Sequence, residues 1–331
     1  KVNLGLQTYN EKYEYYQPTS LSSGANPPGS AQAIAAANAI AQTTTQIDKL
    51  AEFTLTYKKN WGKHQLDGLA GYSAQENNKD LISVTAKGFQ NDRIEEITGK
   101  GADATFFSLN SGTGKTDWTL ISYLARAMYN FDNKYYLTAS FRTDGSSRFG
   151  PNNRWGNFPS ISAGWNISNE SFYSDFLGKG STMKLRASWG LSGNNNIGNY
   201  AFLQTMAAPG GVIYGNGTVN TAMWAEGIKD LNLGWESTSQ YNVGLDLGLL
   251  NDRLSIMANY YMSRSFNLLF NQPLSAISGT SSILTNLRNS KVQNTGFDIQ
   301  ADARVISTND FTVNLSGNFS LNRNKVLDMG G

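Results

Sequence analysis

The run Tyr135-Tyr136-Leu137-Thr138-Ala139-Ser140-Phe141-Arg142 decides the fold, because its two parities differ in chemistry. Tyr135, Leu137, Ala139 and Phe141 alternate with Tyr136, Thr138, Ser140 and Arg142. Further on, Pro159, Ile161, Ala163, Trp165 and Ile167 alternate with Ser160, Ser162, Gly164, Asn166 and Ser168. A third segment sets Met183, Leu185, Ala187, Trp189 and Leu191 against Lys184, Arg186, Ser188, Gly190 and Ser192. Successive side chains of a strand point to opposite faces, so this period of two predicts strands with one apolar and one polar face. Each segment has roughly the 9–11 residues that a tilted strand needs to cross a bilayer, against about 5–6 for a typical soluble strand. The expected fold class is all-β, an antiparallel transmembrane β-barrel.

Composition agrees. Charged residues are 16% of the 331-residue chain, below the about 25% of an average soluble domain. Tyr and Phe number 16 each, which suits β structure and aromatic girdles. A formal net charge of +2 gives no reason to expect nucleic acid. The absence of cysteine removes disulfides and thiolate metal sites. There is no run of about 18 apolar residues, so no membrane-spanning helix is expected, which leaves the barrel open because its strands are only modestly hydrophobic overall. No signal peptide follows Lys1, and Gly330-Gly331 follows a strand-like run directly, so both ends are expected to be cuts within a longer polypeptide.

Taken in order, Val2 to Tyr16 alternates poorly but can be a strand. Residues 17–45 are expected to be a polar loop whose Ala31–Ala41 run favours a helix, marginal on its own at that length. Strands are then expected around 53–58, 66–72, 118–131, 135–144, 154–168, 183–192, 240–249, 254–270, 297–305 and 311–321. The total is about eleven. Short connections fall at 59–63, 132–134, 250–253 and 306–310. Long ones fall at 17–45, 77–115, 145–153, 193–233 and 271–289, with 169–182 an intermediate case on the short side. Outer-membrane barrels sort their loops this way, short turns in the periplasm and long loops outside. Plugged transporter barrels have about 22 strands, so the chain is expected to be half of one. On this register Tyr129, Phe131, Tyr135 and Trp165 lie near the short-turn rim and Trp155 near the long-loop rim. Arg142, Lys184, Arg186, Asp246, Asp298, Asp302 and Arg304 fall on the opposite parity, which implies a wet lumen, because Arg or Lys facing mid-bilayer lipid costs about 2–4 kcal/mol.

The segment Thr138-Ala139-Ser140-Phe141-Arg142-Thr143-Asp144-Gly145-Ser146-Ser147-Arg148-Phe149-Gly150-Pro151 resembles a hallmark of the SusC/RagA-like TonB-dependent outer-membrane transporters of Bacteroidetes. So do Phe158-Pro159-Ser160, Lys184-Leu185-Arg186-Ala187-Ser188-Trp189-Gly190 and Gly193-Asn194-Asn195-Asn196-Ile197-Gly198-Asn199-Tyr200. Trp235-Glu236 followed by Gln240-Tyr241-Asn242-Val243-Gly244-Leu245-Asp246, and Asn294-Thr295-Gly296-Phe297-Asp298, resemble later family motifs. The matches lie in order over about 138–300. The resemblance implies a 22-stranded barrel with an N-terminal plug and a TonB-contacting segment. It also implies energised import of oligosaccharides or peptides across the outer membrane, and a SusD-like lipoprotein lid. A dimer of transporter–lipoprotein pairs is a further expectation. Residues 1–331 are then part of one transmembrane barrel domain. The plug and the remaining strands are not recognisable here. A passive porin or adhesin barrel and a glycan-binding β-sandwich are the competing readings.

No enzyme activity, cofactor or metal site is expected. The single histidine, His64, sits beside a turn and can form neither a catalytic triad nor a histidine cluster by itself. Gly112-Thr113-Gly114-Lys115-Thr116 lacks the first glycine of a phosphate-binding loop, since Leu109 stands there. Asp246, Asp298 and Asp302 could be read as a glycosidase pair, against a solvated polar wall, which is the preferred reading. The substrate-contact candidates are Arg142, Asp144, Arg148, Arg186, Asp246 and Asp298. For Arg142 and Arg148, which flank Asp144-Gly145, ion pairing that anchors a loop is the favoured alternative.

Overall fold

The computed structural model describes residues 1–20, 27, 30–87, 89, 92–93, 95, 97, 111–173, 180–214, 218–308 and 310–330. For 207–214, 218–222 and 224 only the backbone is described. The strands are β1 (Val2–Gln17), β2 (Asn38–Trp61), β3 (His64–Lys87), β4 (Gly112–Phe131), β5 (Tyr135–Ser146), β6 (Trp155–Asn166), β7 (Thr182–Asn194), β8 (Met206–Tyr214), β9 (Thr218–Ala225), β10 (Glu236–Leu249), β11 (Leu254–Pro273), β12 (Ser282–Ser307) and β13 (Thr312–Asp328). One short helix, α1 (Ala31–Ala36), precedes β2. Eleven strands form one sheet in the order β1-β2-β3-β4-β5-β6-β7-β10-β11-β12-β13, while β8 and β9 form a hairpin of their own.

The chain divides into two compact units. The larger comprises residues 1–2, 52–73 and 120–331. Its register is continuous. Tyr129, Leu137, Ala163, Ala187, Val243, Tyr260, Phe297 and Leu321 stand opposite one another in one row across β4, β5, β6, β7, β10, β11, β12 and β13. The neighbouring row on the other parity reads Thr138, Ser162, Ser188, Asn242, Tyr261, Gly296 and Asn322. A one-residue slip in any strand would exchange the two faces. Tyr135, Leu137, Phe141, Ile161 and Trp165 are exposed on the apolar face, as the odd parity of the sequence predicts.

Turn chemistry sets the hairpins. Asp132 and Asn133 both have positive φ (55° and 54°), which short polar residues tolerate and which matches the twist of the flanking strands. Leu250, Asn251 and Asp252 do the same between β10 and β11. At the other end of these strands lie 147–154, 195–235 and 274–281.

The smaller unit, residues 3–51 and 74–119, departs from the expected boundaries. The Ala31–Ala41 run is helical only to Ala36, with Ser30 Oγ accepting from the Ala33 amide at 3.1 Å. From Asn38 the chain is strand, because β2 lies between β1 and β3 and pairing there gives its backbone groups partners, whereas a helix of this length gains little in water. The loop expected at 77–115 is strand as far as Lys87 and again from Gly112. Asn77, Asn78, Lys79 and Asp80 make both faces polar there, which erases the alternation. Most of 88–110 lies outside the described residues. Asp92 accepts from the Thr19 amide (2.7 Å), the Thr19 hydroxyl (2.9 Å) and the Tyr16 hydroxyl (2.9 Å). These donors, the Thr19 amide first, hold its carboxyl below the ordinary range.

Two more expected loops are corrected in the larger unit. Residues 193–233 contain the β8–β9 hairpin. Residues 271–289 shrink to 274–281, because β11 and β12 continue past a bulge at Phe266/Leu268, where Asn267 and Asn289 have positive φ. A bulge interrupts side-chain alternation without ending the strand.

Candidate functional site: a polar wall between two aromatic chains

Aromatic contacts run across the strands of the larger unit at two levels. Near the short turns, Trp61 stacks on His64 (5.3 Å, 9°), His64 lies 4.9 Å from Phe131, Phe131 stacks on Tyr135 and Tyr135 on Trp165 (6.4 Å each). His64 is therefore a member of an aromatic chain, with Nδ1 2.6 Å from the Tyr129 hydroxyl. At the other level Phe53 meets Tyr72 (6.3 Å), Tyr72 meets Tyr123 (5.3 Å) and Tyr123 stacks on Trp155 (6.1 Å). Tyr123 and Phe131 are separated by about eight residues of β4, ~27 Å of strand and ~20 Å of height at a tilt of about 40°. Outer-membrane barrels carry an apolar band about 25 Å tall between girdles of this kind.

Charge sits on the other parity, and two ion pairs form there. Arg142 Nε donates to both oxygens of Asp144 (2.7 and 2.9 Å), and its Nη2 reaches Ser122 Oγ at 3.0 Å. Asp144 is buried. Arg186 donates from Nε and Nη2 to the two oxygens of Asp246, 2.7 Å each, and from Nη2 to Asn259 Oδ1 at 3.0 Å. Two parallel bonds between guanidinium and carboxylate are among the stronger polar contacts a protein makes. Asp298 stands in the row Gly164, Arg186, Gly244, Asn259, Asp298, Ser320, so the carboxylate faces the far side of Asn259. It has no ion-pair partner among the described residues. Lys184, one position along, lies 4.8 Å from the Tyr136 ring.

Arg148 lies apart from these. Its Nε donates to Asn199 Oδ1 (3.0 Å) and its Nη1 to the Asn195 carbonyl (3.3 Å). Burial lowers its pKa. The Arg148 bonds, made to neutral acceptors and not to a carboxylate as the expected ion pair would be, tie the 147–154 turn to the 195–205 segment. The next residue, Phe149, is fully buried with Leu233 and Phe202, against Ile197, Trp235, Leu269 and Leu284. These residues form an apolar core beneath the loops, and the Arg148-Phe149-Gly150 motif supplies its centre. Gly150 is obligatory, since a Cβ there would stand 2.3 Å from the Leu231 carbonyl oxygen. The Phe158 ring lies over Gly156 and Gly193, where added Cβ atoms would meet it at 2.5 and 2.2 Å. Its edge meets Trp235.

Of the six candidates the structure thus brings together Arg142 with Asp144, and Arg186 with Asp246. Asp298 comes near the second pair, and Arg148 serves the loop core. Asn259 and Ser122 were not singled out from sequence and carry no signal beyond an ordinary polar parity position, whereas Asn195 and Asn199 lie in the Gly193–Tyr200 motif without a role having been attached to them. The glycine-rich 112–116 segment opens β4 as strand, and no group of three or more metal-ligating side chains occurs among the described residues.

Comparison with known proteins now gives this geometry a setting. Residues 2–330 match the family model described as TonB dependent receptor-like, beta-barrel. TonB-dependent receptor P39 of Formosa agariphila is 35% identical over 99% of the chain and 30% of its own length. TonB-dependent receptor SusC of Bacteroides thetaiotaomicron is 35% identical over 64% of the chain and 21% of its own length. The solved structure of the RagAB peptide transporter superposes with a TM-score of 0.84 at 26% identity, covering 99% of this chain and 35% of that one. The chain spans about a third of the first relatives it matches.

Proposed function

The chain belongs to the TonB dependent receptor-like β-barrel family of outer-membrane proteins, and from that premise we propose that the intact protein imports an oligomeric nutrient, an oligosaccharide or a peptide, by TonB-coupled transport. The observation that carries this is the two-faced wall itself. An apolar row closed by aromatic chains at both levels backs a polar face on which Arg186–Asp246 and Arg142–Asp144 are already paired. With these two pairs already made, the wall offers a passing solute hydroxyl and amide partners beside charges that are largely neutralised.

The outer strands of the sheet extend the proposal. Among the described residues β1 pairs only with β2, and β13 only with β12. An open strand edge cannot lie in hydrocarbon, because its amides and carbonyls would have no partner. Both edges therefore pair with further strands of the parent barrel, which we take as 22-stranded. A barrel that wide needs a plug, and moving a plug needs energy relayed from the inner membrane, since the outer membrane has no energy source of its own.

A SusD-like lipoprotein capping the long-loop end, and pairing of two such complexes, complete the proposal. Support comes from the likeness to SusC and to RagAB, the latter a peptide importer described in "open-open" and "closed-closed" states. Of the wall carboxylates, Asp246 is taken up by Arg186, which argues against its use in a glycosidase pair. The test is uptake by cells carrying the full-length protein, with TonB deleted or the proton-motive force collapsed. Uptake should stop. Continued uptake would mean a passive porin and would overturn energised transport while leaving the barrel in place.

A further inference from the structure

The stretch Tyr9-Asn10-Glu11-Lys12-Tyr13-Glu14-Tyr15 of β1 has no part in the wall described above and belongs to the smaller unit. On one parity of this strand Leu4 and Leu6 are 78% and 72% exposed, and Thr8, Asn10, Lys12 and Glu14 follow them. Lys12 Nζ meets Glu14 Oε1 at 2.6 Å, an exposed ion pair on that same side. An outward parity that turns from leucine to paired charge has left the hydrocarbon. After Leu6, β1 therefore rises beyond the apolar band on its way to the 18–37 connection.

The opposite parity carries Tyr9, Glu11, Tyr13 and Tyr15. The three tyrosines are 50, 46 and 43% exposed. Among the described residues their hydroxyls have no hydrogen-bond partner and their rings have no aromatic neighbour. They face away from the side of Leu4 and Leu6, so they are not an interfacial belt, which would share the lipid parity. Large rings left in water on one face of one strand mark a binding surface. The next strand frames them with amides. Asn38 Nδ2 donates to Gln17 Oε1 at 3.1 Å, and a Cβ on Gly5 would stand 3.4 Å from Leu50 Cβ. These two contacts share one register, which sets Gln42 beside Tyr13, Thr44 beside Glu11 and Gln46 beside Tyr9. Gln46 and Asn77 both donate to Asp48, at 2.9 and 2.7 Å, so the carboxylate next to the row is already held.

Along the strand Tyr13 and Tyr15 are ~7 Å apart, and Tyr9 lies ~14 Å before Tyr13. A row of rings ~20 Å long, with hydroxyls at its tips and amides at its side, fits the successive C–H faces and hydroxyls of an extended carbohydrate chain. We propose that this tyrosine row is the outer guide on which a neutral oligosaccharide is first held. The proposal rests on the import reading above and names its substrate class. A peptide is held chiefly by backbone bonds to a strand edge, whereas the face of a paired strand presents rings and hydroxyls and no backbone ladder. Glu11, the charge among the rings, disfavours an anionic chain.

The test uses the full-length protein purified from outer membranes in mild detergent. Binding is measured to an array of neutral linear glucans, mannans and xylans, from disaccharides upward, and to a library of short peptides. The wild type should bind at least one glycan class, more tightly as the chain lengthens to span the row. Y9A/Y13A/Y15A should weaken that binding about tenfold or more, for the loss of three ring contacts together. Y9F/Y13F/Y15F keeps the rings and should retain most of it. Unchanged heat-modifiable migration on gels shows that each variant barrel is folded. In cells, the alanine variant should raise the half-saturating concentration for uptake of the bound glycan and leave the maximal rate, because the rings touch the substrate before the energised step. Binding of no glycan, undiminished glycan binding by the alanine variant, or a loss confined to peptides would each overturn the proposal. Failure of the energised-import reading shows separately, as uptake that continues without TonB in wild type and variant alike.

Discussion

The guanidinium of Arg186 on β7 holds both carboxylate oxygens of Asp246 on β10, 2.7 Å on each prong. They stand on adjacent rows, because Arg186 lies opposite Gly244 and Asp246 opposite Lys184. Gly244 makes the diagonal reach feasible, since a Cβ there would come within 2.9 Å of the guanidinium.

The pair should therefore be coupled and sensitive to its shape. D246N should destabilise the folded barrel by about 1–3 kcal/mol, since it strands a partly exposed cation. The double variant R186M/D246L should cost clearly less than the two single changes added together. A double-mutant cycle from denaturant unfolding in detergent measures this. Strict additivity would mean that the two side chains do not interact. R186K should behave nearer to a deletion, because a point charge cannot make both prongs.

The loop core should respond to changes that touch no ligand. F149A removes a fully buried ring and should cost about 3–5 kcal/mol. G150A places a Cβ against the Leu231 carbonyl, a backbone atom that cannot swing aside, whereas Gly317 has nothing within 4 Å. Limited proteolysis of 226–235 should speed up in G150A and remain unchanged in G317A. Equal protection in both would remove the close approach as the reason for this glycine.

The two parities should differ in their surroundings. Ala139 and Ala163 share the apolar face, while Ser140 and Ser160 share a hydroxyl–hydroxyl bond of 2.6 Å on the other. Spin labels at Ala139 and Ala163 should be relaxed by lipid-soluble oxygen more than labels at Ser140 and Ser162. Reversed accessibility would exchange lipid and lumen.

At the short-turn rim, Glu170 accepts from the Tyr135 hydroxyl (2.7 Å), Lys134 Nζ (2.9 Å) and the Trp165 indole (3.2 Å). The Tyr135 bond foremost, then Lys134, lower its pKa to about 2. A depressed carboxyl stabilises the fold fully above its unfolded pKa and loses that contribution as pH falls through the folded value. The network should thus be intact at pH 5 and weaken between about pH 4.5 and 2. Infrared titration should show one carboxylate band in that window, absent in E170Q. A band titrating near 4.5 would mean that these donors do not hold Glu170.

Topology gives a further check. An epitope inserted at Asn133 should stay hidden on intact cells, and one in 226–235 should be labelled. Labelling at Asn133 would invert the membrane orientation.

Much of this was written locally. Tyr135–Phe141, Ile161–Trp165 and Met183–Trp189 announce strand and face at once, because period two is a property of neighbouring residues alone. Asp132-Asn133 announces its turn for the same reason, as two residues that tolerate positive φ. The Arg148-Phe149-Gly150 motif was visible as a resemblance, but its physical task was not. Phe149 meets Leu233 and Trp235 from more than eighty residues away in sequence, and only the folded sheet brings them together.

Where both faces of a strand are polar, as at Asn77–Asp80, or where a bulge intervenes, as at Asn267, the period disappears although the strand does not. The helix-favouring Ala37–Ala41 stretch yields to pairing in the sheet for a related reason: local propensity amounts to tenths of a kcal/mol per residue, and a ladder satisfies each amide outright. The sequence by itself therefore determined the strands that alternate cleanly, their faces and the short turns. Tertiary structure decided which charges pair. Arg186 chooses Asp246 and leaves Asp298 beyond Asn259 because of register across four strands, and register depends on long-range pairing that no local pattern contains.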